Sequence, residues 1–289
     1  MSTRNELPIR RDSHHPLRLF EAAKAANRPL FIQAPMVRYS KLPFRALIRE
    51  YGVDLCYTPM ILAKEFISAP ARKIGHLLSS LEPIQFWILP KPQNWYSPTV
   101  MAWISIVDVH KHGLFRRQTV RFVAIVESAG PDYITVHGRR RSQRSSEPVN
   151  LEAIRLIKSV AKVPIVANGD VFCLDDVDRI IKVTRADGVM AARGLMENPA
   201  LFAGYSTTPW GAVEKFLHLN MTLGPLPHQL TVHHVGEMML KMLNKKERSS
   251  MVDSSSNTVE LLDWLDERFV LARPCDEGFG KGIHAVRII

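Results

Sequence analysis

The tripeptide Asn168-Gly169-Asp170 closes the apolar run PIVANGD, which puts an amide, a flexible backbone and a carboxylate where a buried strand hands over to a loop. That trio suits a polar ligand. It equally suits a plain turn, because Asn and Gly tolerate positive φ and Asp caps a following helix. Arg193 and Gly194 follow the next apolar run, GVMAARG, where a guanidinium and a bare backbone could meet a phosphate at a helix start. His137 ends the run YITVHG, so it reads either as a satisfied core histidine or as a donor to a ligand oxygen. Gln85, in PIQF, offers a further amide. Directly after His137, one loop carries Arg139, Arg140, Arg141 and Arg144. Such a loop is a solvated surface or, at the rim of a site, a contact to nucleic-acid phosphates with salt-dependent affinity.

These residues share one position, the carboxyl end of a short apolar run. Parallel strands buried on both faces read as continuous apolar runs, and in (β/α)8 barrels the ligand groups sit at the carboxyl ends. The runs FIQAPM (31–36), DLCYTPMI (54–61), EPIQF (82–86), Tyr133 to His137, Pro164 to Ala167 and Gly188 to Ala191 alternate with helical patterns at 41–51, 117–129, 151–160 and 174–183. That rhythm predicts an α/β fold, a (β/α)8 TIM barrel over residues 29–206. Residues 1–28 read as a flexible lead-in with a short helix at 17–26. Amphipathic patterns at 213–221, 228–243 and 257–270 predict a small helical domain over 207–289, ending in an irregular tail.

The chain has 289 residues, a formal charge of +10 and a pI near 9.7, a balance that favours a polyanionic partner such as RNA or an acidic membrane surface. No stretch approaches the roughly 20 apolar residues of a membrane span, and the first residues lack the apolar core of a secretory signal. A soluble protein of the cytoplasm, with the nucleus as a second compartment, is expected. Cys56, Cys173 and Cys275 are too few and scattered for a disulfide framework or a zinc knuckle, so reduced thiols and no metal are expected.

Six segments together resemble the tRNA-dihydrouridine synthases, in particular the eukaryotic branch acting on D-loop uridines 20a and 20b. They are APMVRYSKLPFR, LCYTPMI, PIQF, ITVHGR with RSQRSSEPVN, PIVANGD and DGVMAARGLMENPALF, in the family's order, over roughly residues 29–86 and 116–205. The resemblance implies an FMN-binding barrel that reduces the uracil 5,6 double bond with NADPH, and a helical domain that helps to hold tRNA. It implies that Pro35, Met36 and Val37 lie against the isoalloxazine and that Gln85 bonds its polar edge. Asn168, Gly169, Asp170, Ala192 and Arg193 then hold the ribityl phosphate, with His137 nearby. The arginine-rich loop becomes an RNA contact.

The same resemblance implies a proton-donating cysteine in a DxNxGCP motif after the fourth strand, and a flavin-contacting lysine on the fifth. Neither motif is present. Between Trp87 and Phe115 the rhythm fails, in a segment with three tryptophans and no clean period. Reading the codons of Met101 to Gly113 one base earlier forces glycine from Met-Ala and aspartate from Trp-Ile. It also forces glutamine, unless a stop, from His-Lys. The shifted frame permits GVDLNCGCPQTW, the missing motif. The alternative is a divergent loop whose codons allow the motif by chance; because several residues are forced, the segment reads instead as a frame-shifted stretch of synthase sequence, with the fourth helix and fifth strand lost, and poor order is expected there.

Three readings follow. The first is a synthase by descent with impaired chemistry. The second is a non-catalytic RNA-binding pseudoenzyme, and the third is a flavin barrel that reduces a free pyrimidine and needs no arginine-rich loop.

Overall fold

The computed structural model describes residues 16–59, 101–105, 114–139 and 143–288, without the side chains of 101–105 and 114–120. Six parallel strands form one sheet: β1 (Leu30–Gln33), β2 (Leu55–Cys56), β3 (Met101–Ser105), β4 (Tyr133–His137), β5 (Ile165–Asn168) and β6 (Gly188–Ala191). Their spatial order is β2-β1-β6-β5-β4-β3. The first strand thus pairs with both the second and the last, which is how a barrel closes on itself. β2 and β3 end the described sheet, so the architecture is that of an incomplete (β/α)8 barrel.

Alternate residues explain why the runs are apolar throughout. Leu30, Ile32, Leu55, Tyr133, Val166 and Met190 pack together inside the barrel. Their neighbours Ile134, Val136, Ile165, Ala167, Val189 and Ala191 face the surrounding helices. Both faces are buried, so neither tolerates polar alternation. The outer layer includes α2 (Leu42–Glu50), α3 (Leu114–Ser128), α4 (Leu151–Val160) and α5 (Leu174–Thr184). Asn150 caps α4 by accepting the Ala153 amide.

Within the lead-in, the described residues from Pro16 onward form a docked helix. Helix α1 (Pro16–Ala25) buries Phe20 against Tyr133, with ring centroids 5.3 Å apart, and places Ala23 in the interior cluster. Two apolar residues one turn apart are enough to dock a short helix whose composition reads as polar. Arg28 then clamps Asp54 at 2.7 Å, tying α1's exit to β2.

One described piece of the anomalous segment departs from expectation. Met101–Ser105 is a strand hydrogen-bonded in register to Tyr133–His137, not a disordered stretch. MAWIS is apolar enough to occupy a strand position whichever frame produced it. The predicted strand at 82–86, with Gln85, and the rest of 87–115 outside β3 and the start of α3 lie outside the described residues.

The α-helices described after β6 are α6 (Arg193–Glu197), α7 (Trp210–Thr222), α8 (His228–Met238), α9 (Lys245–Asp253) and α10 (Thr258–Asp266). α6 continues the barrel, α7 packs on α2, and α8 packs on α6. α9 was not visible as a periodic pattern, since Met251 is its one buried residue. It starts at a capping box in which Asn244 and Glu247 satisfy each other's amides. The irregular tail is nonetheless anchored: the buried Glu214 carboxylate accepts from the Ala272 and Gly280 amides, both at 2.9 Å. Trp210 Nε1 donates to the Val270 carbonyl at 2.9 Å. No described helix is long and apolar enough to cross a membrane.

Candidate functional site

Strand register brings the polar strand ends to one level. His137 pairs with Asn168, Asn168 with Met190, and Gln33 with Ala191. His137, Arg139, Asn168, Gly169, Asp170, Met190, Ala192, Arg193 and Gly194 line one cavity at this mouth, with Val171 and Phe172 as its apolar wall.

Close approach of the loops shapes it. Gly169 has φ +128°, and a Cβ there would lie 2.5 Å from Val149 Cγ1. A Cβ on Gly194 would lie 2.0 Å from the Val171 carbonyl oxygen, so the loops after β5 and β6 touch only because this residue is glycine.

Asn168 is 6% exposed, and its Nδ2 has no hydrogen-bond partner although it is buried at the cavity. A buried donor without an acceptor is costly unless a ligand supplies one. Arg193 is half-exposed, 3.6 Å from Asp170 Oδ1 and stacked over the Phe172 ring at 5.4 Å. An amide donor and a guanidinium held beside it form a donor set suited to a phosphate.

His137 is half-buried, and its Nδ1 accepts the Arg139 amide at 3.0 Å. The neutral ring therefore carries its proton on Nε2. Burial first, then Arg139, with Asp170 opposing and Arg193 adding, holds the imidazole below its ordinary titration range. It is a neutral donor at physiological pH, not a cation.

Two placements change the expectations. Arg139 is 8% exposed, and its guanidinium binds the Asp170 carboxylate through both terminal nitrogens and the Glu147 carbonyl through Nε. Its charge is spent inside the protein, not on an RNA surface. Asp170, with φ +53°, presents its carboxylate to arginines rather than to a phosphate, which a carboxylate would repel. Arg144 is exposed; Arg140 and Arg141, like Gln85, lie outside the described residues.

Pro35 is buried, Met36 half-buried and Val37 53% exposed, in the turn after β1. That turn is held by two residues that the sequence reading did not single out. Ser40 Oγ accepts the Met36 amide at 2.8 Å and donates to the Ala34 carbonyl at 3.0 Å. Gln33, fully buried, donates to Ser40 and the Ala34 carbonyl and accepts the Tyr57 amide at 3.1 Å. The available signal was a glutamine inside an otherwise apolar run. Neither half-buried thiol lines the cavity: Cys173 Sγ lies 3.4 Å from Asp176 and Cys56 Sγ 3.9 Å from the Arg45 carbonyl. Among the described residues no cluster of three or more His, Cys, Asp or Glu could hold a metal.

The sequence profile of a family described as dihydrouridine synthase matches residues 32–89 and 112–278. The chain belongs to that family. The cavity residues all fall in the second matched span, and the unmatched stretch lies within the anomalous segment 87–115. A Schizosaccharomyces pombe protein named tRNA-dihydrouridine(20a/20b) synthase, with NAD(P)+ in its name, is 39% identical, covering 93% of this chain and 96% of the relative. A Saccharomyces cerevisiae protein of the same name is 36% identical over 90% of this chain and 85% of the relative. A human protein named as similar to that enzyme is 29% identical over 88% and 94%. The alignment to the S. pombe synthase has 317 positions, more than the 289 residues of this chain. The relative therefore carries residues that this dihydrouridine synthase family member lacks.

Proposed function

We propose that the chain derives from an enzyme that reduces uridine to 5,6-dihydrouridine in the D-loop of tRNA, at positions 20a and 20b, with NADPH. We further propose that it retains the FMN site but not rapid turnover. The observation that carries the cofactor reading is the buried, unpartnered Asn168 amide beside Arg193 at the barrel mouth.

FMN, when bound, supplies hydride transfer. In this reading Asn168 Nδ2 and Arg193 meet its phosphate. Gly169, Ala192 and Gly194 keep the loops close enough for the backbone to approach, and His137 donates from Nε2. Pro35, Met36 and Val37 offer the apolar surface against the ring system, held by Gln33 and Ser40. Uracil reduction also needs a general acid to protonate C5, a contribution worth about 10²- to 10⁴-fold. The cysteine motif that supplies it in the resemblance is absent from the translated sequence, and the family match breaks at the corresponding place. Net positive charge, with Arg144 exposed on its loop, supports tRNA as the partner, and the cytoplasm or nucleus is the location we propose for it.

The test is direct. The purified chain is expected to carry yellow flavin absorbance and to form dihydrouridine in tRNA at least about 100-fold more slowly than the S. pombe relative. Robust turnover overturns the loss of chemistry. Salt-sensitive tRNA binding without flavin favours the RNA-binding pseudoenzyme, which the interrupted family match also supports. Reduction of free pyrimidine unaffected by Arg144→Ala favours the third reading.

A further inference from the structure

At the cavity wall, Arg139 and Asp170 are turned toward one another. Nη1 of Arg139 donates to Asp170 Oδ1 at 2.8 Å and Nη2 to Oδ2 at 2.5 Å, the two parallel bonds of a guanidinium–carboxylate fork. Nε donates to the Glu147 carbonyl at 2.6 Å, so all three nitrogens are engaged inside the protein. The main-chain amide of the same residue donates to His137 Nδ1. On the other side, Asp170 Oδ1 is 3.6 Å from Arg193 Nη2.

We propose that the Arg139–Asp170 pair is a partly buried brace: Arg139 fixes His137 as its Nε2–H tautomer, and Asp170 holds Arg139 in place and keeps Arg193 over the cavity. Both are positioning residues. Neither is a ligand contact, and Arg139 is not a nucleic-acid contact.

Geometry supports each part. The backbone amide of residue 139 reaches Nδ1 only while the loop beyond Gly138 stays folded against the barrel. That loop is tied by the Asn150 amide to the Gly138 carbonyl at 2.7 Å and by the Gly138 amide to the Asn168 carbonyl at 2.9 Å. The fork and the Glu147 bond anchor its arginine from the side-chain end. Asp170 meets the fork from a left-handed conformation, φ +53°, that few residues other than Gly, Asn and Asp adopt readily. In this partly buried ion pair the partners are coupled, because removing Asp170 leaves the buried Arg139 guanidinium uncompensated.

The role in ligand binding rests on the flavin reading above; the tautomer does not. Nitrogen-15 NMR of histidine-labelled, ligand-free protein, with His137 assigned by its loss in His137→Gln, is expected to show Nε2 protonated and Nδ1 as acceptor. An Nδ1-protonated ring in the unaltered chain overturns the proposal without any variant having to fold. In Arg139→Lys and Asp170→Asn, each shown to be folded by an unaltered circular dichroism spectrum and a cooperative unfolding transition, the ring is expected to populate both tautomers. An unchanged single tautomer in both overturns the brace.

The second arm measures FMN affinity. Each single variant is expected to weaken binding about tenfold, the size of one charged hydrogen bond, and the double variant no more than the worse single. Additive losses mean that each residue touches the ligand itself, and overturn the proposal. If the unaltered chain binds no FMN, the flavin reading fails, while the tautomer measurement still decides the brace.

Discussion

The β4–β6 side of the barrel and strand β3 belong to one sheet but are built by different rules. At β4, β5 and β6, each strand is apolar on both faces and ends in residues whose polar atoms converge on one cavity. Between β2 and β4 the family match is interrupted, and β3 contributes a paired backbone without the motif expected after it. The difference teaches that a strand position can be filled by any suitably apolar segment, whereas a chemical site needs particular atoms. Packing is permissive where catalysis is not.

The largest effect that can break this contrast is in turnover. Replacing the anomalous segment by the corresponding stretch of the S. pombe relative is expected to raise tRNA uridine reduction at least about 100-fold, measured as NADPH-dependent dihydrouridine formation. No gain places the defect in the cavity side instead.

On that side, Gly194→Val forces a side chain onto the Val171 carbonyl. A destabilisation of about 3 kcal/mol or more, with loss of flavin binding, is expected in thermal unfolding and titration. A similar change at the exposed Ala203 end of the 3₁₀ turn Leu201–Ala203 serves as the control and leaves both close to unchanged.

The seam between barrel and helical domain responds to pH. His234 is fully buried against the rings of Tyr39, Phe44 and Phe216. Burial first, then its neighbour His233, lowers its pKa to about 3. The folded value lies below the unfolded value near 6.5, so the unfolded chain takes up the proton first as pH falls. Stability is intact above about pH 6.5 and declines below it, by about 2 kcal/mol at pH 5 from this group. Denaturant unfolding at the two pH values checks this, and His234→Phe is expected to flatten the dependence.

The smallest effect is expected at the exposed Arg155–Glu152 pair on α4, where Arg155→Ala changes stability by less than about 0.5 kcal/mol in the same measurement. A larger loss means that the helical layer contributes more than the core burial suggests.

Much of the cavity was legible in the sequence because it is built at strand ends. A run such as PIVANGD declares both its buried strand and the polar groups at its exit. Gln33 stood in the same kind of run, yet its role depends on reaching Ser40 and the Tyr57 amide, which no local pattern encodes. Helix α9 lacked an apolar stripe, although its Asn244–Glu247 box was present to be read. The tail after Ala272 has no period at all; it is ordered by a buried carboxylate from Glu214, more than fifty residues earlier.

By itself the sequence determined the strand and helix alternation, the family and the place where that family's motif breaks off, because these depend on local residue type and order. Only the tertiary structure decided that α1 docks under the barrel, that Arg139 turns inward, and that Asp170 meets arginines in place of a phosphate. Those outcomes depend on which charges and apolar surfaces are brought together once distant segments pack. A buried arginine beside an aspartate is held there by proximity that no stretch of chain specifies alone.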